Sequence, residues 1–212
     1  MTALLLDSAA IDDAARAAEL GFVRGITTNP TLLRPHTTDP LRHCRELLAA
    51  ANPPELFYQP TGAYGPWDRE AAQAWELDPH RVVVKVPATG AGAALAAALI
   101  GRGARVAFTA VQAPHAMLVA QSLGCAAVIP YLDRGLRDPR VDTELLRRLA
   151  ELRRGPTRIV AASVKNTAQI LSAFRDGADA VTAPLPVLEA LLSHPAALEA
   201  EAAFAREFQR DP

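Results

Sequence analysis

Short apolar runs alternate along this chain with longer, alanine-rich segments whose apolar positions recur at helical spacing. Such alternation is the pattern of repeated βα units feeding a parallel sheet that is covered on both faces. Eight runs read as strands: 4–7, 22–27, 55–59, 81–87, 105–109, 126–131, 158–163 and 179–183. Between them the period predicts helices at 9–20, 39–51, 67–76, 93–101, 114–123, 142–153, 167–175 and 186–193, and one more at 195–208. Local chemistry punctuates these elements. Ser8 reads as the cap of the first helix, with Asp12 and Asp13 in its first turn. Asn29-Pro30 stops the second strand and Asn52-Pro53-Pro54 the second helix. The stretch 132–140, rich in Arg, Asp and Gly, reads as a loop. No linker or low-complexity tract divides the 212 residues. The predicted fold is therefore α/β, a single-domain (β/α)8 TIM barrel over 1–212 with an additional C-terminal helix.

Composition narrows the function classes. A net charge of -1 carries no polybasic signature, which argues against nucleic acid and for a small soluble substrate. Cys44 and Cys125 lie far apart without metal-ligand or redox spacing and read as reduced thiols of a cytoplasmic protein. The first residues lack a basic region, and their apolar run is too short for a signal peptide or a membrane span. The five histidines show no paired spacing, so no metal is expected.

A barrel of this kind carries its active site at the C-terminal ends of its strands. Asp7, Thr27, Thr28, Asn29, Gln59, Thr109, Tyr131, Ser163 and Lys165 all close or directly follow a predicted strand. Singly, most are ordinary turn and cap residues. Together they mark one rim. Lys85 stands apart, because it sits inside Val82-Val83-Val84-Lys85-Val86 and is one of two lysines among 22 basic residues. Two readings of it are open on pattern alone. Burial lowers the pKa of an amine and frees it to condense with a carbonyl; alternatively, the side chain snorkels from the strand or pairs with a buried carboxylate.

Several segments carry a family resemblance: Leu5-Leu6-Asp7-Ser8, Gly25-Ile26-Thr27-Thr28-Asn29-Pro30, Val82 to Pro87, Ile129-Pro130-Tyr131-Leu132-Asp133-Arg134, Ala161-Ala162-Ser163-Val164-Lys165 and Val181-Thr182-Ala183-Pro184-Leu185. In order and spacing they resemble the transaldolase and fructose-6-phosphate aldolase family. The resemblance implies a metal-independent class I mechanism with no cofactor beyond a covalent Schiff base on Lys85. Asp7 matches the family's acid/base aspartate, and Thr28 and Asn29 match positions that hold donor hydroxyls and orient the lysine. Gln59, Thr109 and Tyr131 are similar to the aldolase form, in which the tyrosine exchanges a proton through a bound water. Transaldolases tend to carry glutamate and phenylalanine in place of Gln59 and Tyr131.

Arg134 and Ser163 resemble the pair that binds the acceptor's phosphate, and Lys165 reads as a phosphate or surface contact. Asp133 departs from the family pattern. It is placed to pair with Arg134 and weaken anion binding, with Arg137 and Arg140 as possible compensation. The leading expectation is an aldolase that joins and cleaves dihydroxyacetone and glyceraldehyde 3-phosphate, or close analogues. A transaldolase moving a dihydroxyacetone unit between sugar phosphates is the alternative, and a non-catalytic sugar-phosphate-binding barrel the second. Partners are then small hydroxyketones, aldehydes and sugar phosphates. The family also implies a homo-oligomer, a pentamer or decamer, in which the helix at 195–208 reaches a neighbour rather than its own barrel.

Overall fold

A computed structural model of the chain describes residues 2–63 and 65–208. Eight strands, Ala3–Asp7 (β1), Val23–Thr27 (β2), Leu56–Tyr58 (β3), Val82–Pro87 (β4), Arg105–Val111 (β5), Ala127–Pro130 (β6), Arg158–Ala161 (β7) and Ala180–Ala183 (β8), close in sequential order into a parallel barrel. The predicted (β/α)8 barrel is the fold. Helices Ile11–Glu19 (α1), Pro30–Leu33 (α2), Pro40–Ala51 (α3), Trp67–Leu77 (α4), Gly90–Ile100 (α5) and Ala116–Leu123 (α6) accompany the first half. Leu132–Arg137 (α7), Leu145–Leu152 (α8), Thr167–Arg175 (α9) and Leu185–Glu189 (α10) follow, and Pro195–Phe208 (α11) is the additional C-terminal helix.

Strand side chains alternate between the barrel interior and the helix layer. Outward residues such as Leu6, Ile26, Val84, Val86, Phe108 and Val181 join the helices in one large core. The interior is filled in tiers by alternate strands, as a closed eight-stranded barrel requires. Odd strands supply Leu5, Phe57, Ala107 and Val160, and even strands supply Val83, Ala127 and Ala180. The β2 position of that even tier is Gly25, where a Cβ would lie 2.8 Å from the Glu55 carbonyl oxygen. Two residues further along each strand, the same period brings up Thr27, Lys85, Ile129 and Thr182, then Asp7, Gln59, Thr109 and Ala162. The polar mouth thus rests on an apolar plug.

Three expectations change. Ser8 is not the helix cap: α1 begins at Ile11 behind Ala10, while the Ser8 hydroxyl accepts from the Ala10 amide and donates to Asp13. The stretch 132–140 is not all loop, since α7 occupies its first part. Its first amides are satisfied from strand seven, Leu132 by the Ala162 carbonyl and Asp133 by that of Ser163, and the Gly135 amide reaches back to Tyr131. The next helix starts at Leu145, because the Asp142 side chain turns the chain before it by accepting from the Glu144 amide.

At the N-terminal pole, opposite the mouth, Glu55 is buried and accepts from Arg105 at 3.0 Å and from Arg158 at 2.9 and 2.7 Å. The Arg158 guanidinium also lies 5.9 Å from the centre of the Phe57 ring, beneath the apolar plug. Removing a buried ion partner costs about 3–5 kcal/mol. Both arginines here are about a third exposed, at 35% and 31%, which discounts that figure. Glu55→Ala is expected to lower stability by about 2 kcal/mol. Urea unfolding checks this: the midpoint should fall with little change in slope.

Candidate active site

Lys85 projects from β4 into the barrel and is only 4% exposed. Its Nζ donates to the Thr28 carbonyl oxygen at 2.7 Å. Thr28 is itself fixed, its amide and hydroxyl both donating to the Phe57 carbonyl oxygen at 2.9 and 3.1 Å. The strand end is fixed as well. Thr89 caps α5 through the Gly92 amide, and a Cβ at Gly92 would lie 1.9 Å from the Pro87 carbonyl oxygen, so only glycine fits there. Burial pulls the Lys85 pKa down from 10.5 to about 8, and the Asp7 carboxylate draws it partly back up. At pH 7 about one amine in ten is then neutral, roughly 300 times the share of an ordinary lysine. Such an amine can add to a carbonyl.

A cavity of about 430 Å³ opens over the mouth, and Lys85, Asp7, Asn29, Gln59 and Tyr131 all line it. Asp7 Oδ1 accepts from Thr27 Oγ1 at 2.9 Å, and Thr27 Oγ1 lies 2.7 Å from Thr182 Oγ1. Asn29 Oδ1 caps α2 by accepting from the Leu32 amide at 3.0 Å, which leaves the side-chain NH2 group for the cavity. Thr28 and Thr109 are fully buried and stand behind the lining. Thr28 acts on the lysine through its carbonyl rather than its hydroxyl, and Thr109 Oγ1 lies 3.1 Å from the Tyr131 hydroxyl.

Arg134, Ser163 and Lys165 line the outer side of the same cavity. The pairing expected between Asp133 and Arg134 does not occur. One turn of α7 puts Arg137 over Asp133 instead, at 2.8 Å, and Arg140 pairs with Asp138, so neither of those arginines substitutes for Arg134. The Arg134 guanidinium rests over the Tyr131 ring, 4.9 Å from its centre. Ser163 takes a left-handed backbone conformation, φ 61°, at the point where strand seven meets α7. Non-glycine residues are uncommon there, and such strain is often found at functional sites.

Sequence reasoning passed over three contributors. Thr27 and Thr182 were legible as residues of the rim and of a resembling segment, but not as partners of Asp7. Glu70, fully buried on α4, accepts from the Tyr58 hydroxyl, the Thr61 amide and hydroxyl and the Gly62 amide, all within 2.8 Å. Burial alone would raise its pKa, but these donors outweigh it and hold the carboxyl below its usual value. An ionised Glu70 therefore clamps the turn that follows Gln59. The available signal was a glutamate on the same helix face as the buried Ala71 and Ala74.

A model of the transaldolase/fructose-6-phosphate aldolase family matches residues 68–211, more than half of the chain. The chain belongs to this family. A probable transaldolase of Symbiobacterium thermophilum is 32% identical over 196 residues, covering 91% of this chain and 90% of the relative. One from Exiguobacterium sibiricum is 32% identical over 196 residues, with 90% of each chain covered. Probable transaldolase 1 of Listeria monocytogenes is 29% identical over 194 residues, again with 90% of each covered. Among solved structures, FabK from Thermotoga maritima superposes with a TM-score of 0.60 at 17% identity, over 85% of this chain and 57% of that one. That likeness concerns the barrel fold alone.

The lowered Lys85 pKa links stability to pH. The folded state binds the lysine proton less tightly than the unfolded chain, so a penalty of about 3 kcal/mol applies below pH 8 and fades as pH rises from about 8 to 10.5. Lys85→Met is expected to be more stable than the parent at pH 7, and the difference should shrink over that window. Denaturant midpoints of both proteins measured from pH 7 to 10.5 check the sign.

Proposed function

We propose that this protein makes and breaks a carbon–carbon bond of a ketose or its phosphate through a Schiff base on Lys85, moving a dihydroxyacetone-type unit between aldehydes as a transaldolase. The observation that carries the reading is a buried amine of lowered pKa facing the same cavity as a carboxylate. The names of the relatives favour transfer over the free aldolase, which the residues alone put first. The second reading keeps a specific support. Gln59 is a neutral amide, and Tyr131 with Thr109 places a phenol at the cavity wall, able to deliver a proton to the bound three-carbon intermediate and so release it.

In the proposed scheme Lys85 Nζ adds to the donor ketone, and loss of water gives an iminium. Asp7 takes the proton of the hydroxyl next to the scissile bond as that bond breaks. The bonding electron pair moves onto the iminium as an enamine, and the aldehyde leaves. In the transferase a second aldehyde enters, the enamine attacks it, and Asp7 returns the proton. Water then hydrolyses the new iminium and restores the amine. Asn29 offers amide donors to the donor's hydroxyls. Arg134, Ser163 and Lys165 present the charge and hydroxyl that suit a phosphate on the aldehyde. No step draws on a metal or an organic cofactor, and the partners are small hydroxyketones, aldehydes and sugar phosphates.

We also propose a homo-oligomer joined through α11. No residue of α11 is buried, and Leu198, Phe204 and Phe208 are 50%, 70% and 93% exposed, so the helix does not use these side chains on its own barrel. Among the described residues no helix is long and apolar enough to cross a membrane.

Borohydride reduction in the presence of a ketose phosphate donor should add the three-carbon unit to Lys85, and Lys85→Ala should take up none. Label retained in Lys85→Ala would reject the assignment and point to Lys165. Asp7→Asn should lower kcat by about 100- to 10,000-fold. Product from a ketose donor and an aldose acceptor, with little free dihydroxyacetone, is the result expected of the transferase. Efficient product from free dihydroxyacetone and an aldehyde, sharply reduced by Tyr131→Phe, would make the enzyme a lyase. Light scattering should give a mass several times that of one chain, and Phe204→Asp should lower it.

A further inference from the structure

Two inward threonines from strands that are not neighbours meet above the apolar plug. Thr27 on β2 and Thr182 on β8 are separated in the barrel by β1, and both are 1% exposed. Their hydroxyl oxygens lie 2.7 Å apart, and both residues line the cavity with Asp7 and Lys85. The same Thr27 hydroxyl lies 2.9 Å from Asp7 Oδ1. A hydroxyl carries one proton, and an ionised carboxylate can only accept. Thr27 must therefore give its proton to Asp7, and the short contact with Thr182 requires Thr182 to donate to Thr27. The result is a directed chain from the Thr182 hydroxyl through the Thr27 hydroxyl to Asp7 Oδ1.

We propose that Thr182 is a positioning residue for the proton transfer of Asp7. By donating to Thr27 it polarises the hydroxyl that holds Oδ1, fixes the rotation of the carboxylate, and leaves Oδ2 as the oxygen that exchanges a proton with substrate. During bond cleavage the substrate hydroxyl proton passes to Oδ2, the scissile electron pair moves to the iminium, and neither threonine gains or loses a proton. Thr182 thus acts through Thr27, while Lys85 is held separately by the Thr28 carbonyl. Schiff-base formation and proton transfer therefore rest on different supports. The inference depends on the Schiff-base reading proposed above.

Valine and serine variants separate a hydrogen-bonding role from a packing one. Thr182→Val keeps shape and loses the donor; Thr182→Ser keeps the donor and loses a methyl. The expected result is a fall of about tenfold in kcat for Thr182→Val, the worth of one neutral hydrogen bond. KM and the rate of borohydride trapping at Lys85 with free dihydroxyacetone, whose iminium forms without the Asp7 step, should stay near the parent's, and Thr182→Ser should be within about twofold of the parent in kcat. A parent-like kcat in Thr182→Val, or a loss in the serine variant larger than in the valine variant, would overturn the proposal in favour of packing. Equal losses of trapping and turnover in Thr182→Val would overturn it in favour of an effect on the lysine. Absence of trapping in the parent protein would reject the Schiff-base reading itself and this inference with it, an outcome distinct from the others because it needs no variant.

Discussion

An amine enclosed in a parallel barrel is the constraint on which the rest of this structure turns. Lys85 leaves water for a place where Val83 lies below it on the same strand, and the Thr28 carbonyl oxygen receives its Nζ at 2.7 Å. That location costs stability while the amine is charged and makes the neutral, nucleophilic form accessible near pH 8. The surroundings keep the amine in place rather than letting it turn outward. Two backbone supports do this: the end of β2, bonded to the Phe57 carbonyl oxygen, and the end of β4, pressed against Gly92. A destabilising group persists here because the closed sheet around it is held by many independent contacts.

The barrel divides its labour between its poles. At the N-terminal end Glu55 gathers Arg105 and Arg158 beneath Phe57, a cluster with an evident role in holding strands three, five and seven together. At the C-terminal end the tiers change to polar over two residues on six of the strands, while the sixth and seventh stay apolar with Ile129 and Ala162. Leu5 gives way to Asp7, Phe57 to Gln59, Ala107 to Thr109, Val83 to Lys85 and Ala180 to Thr182. Each polar atom that is buried in that change finds a partner on another strand, as with Thr27 on Asp7 and Thr109 on Tyr131.

The outer wall of the cavity follows from one helical turn. Because α7 forms, Arg137 rather than Arg134 lies over Asp133, and Arg134 is left stacked on Tyr131 at the cavity. A loop of the same sequence would place no such order on the two arginines. Arg134 therefore still lines the cavity corner with Ser163 and Lys165 despite the acidic residue beside it. The Ser163 backbone, held in the left-handed region, links this corner to strand seven through the Asp133 amide.

The barrel, its strand order, the anomalous lysine and most of the rim could be read from the chain itself, because period and strand-end position are local properties. The same local rules missed what depends on closure. Thr27 and Thr182 are 155 residues apart, and nothing about two strand threonines, ordinary β-formers, announces that they share a tier and a hydrogen bond. Glu70 looked like any helix glutamate until the barrel turned it onto the backbone after Gln59. Asp133 was expected to pair with its neighbour Arg134, but the helical spacing of α7 gives it Arg137 instead. Sequence alone determined which residues point inward at the mouth; tertiary structure decided which of them touch, because contact across a closed barrel depends on tier and stagger, which no stretch of chain contains by itself.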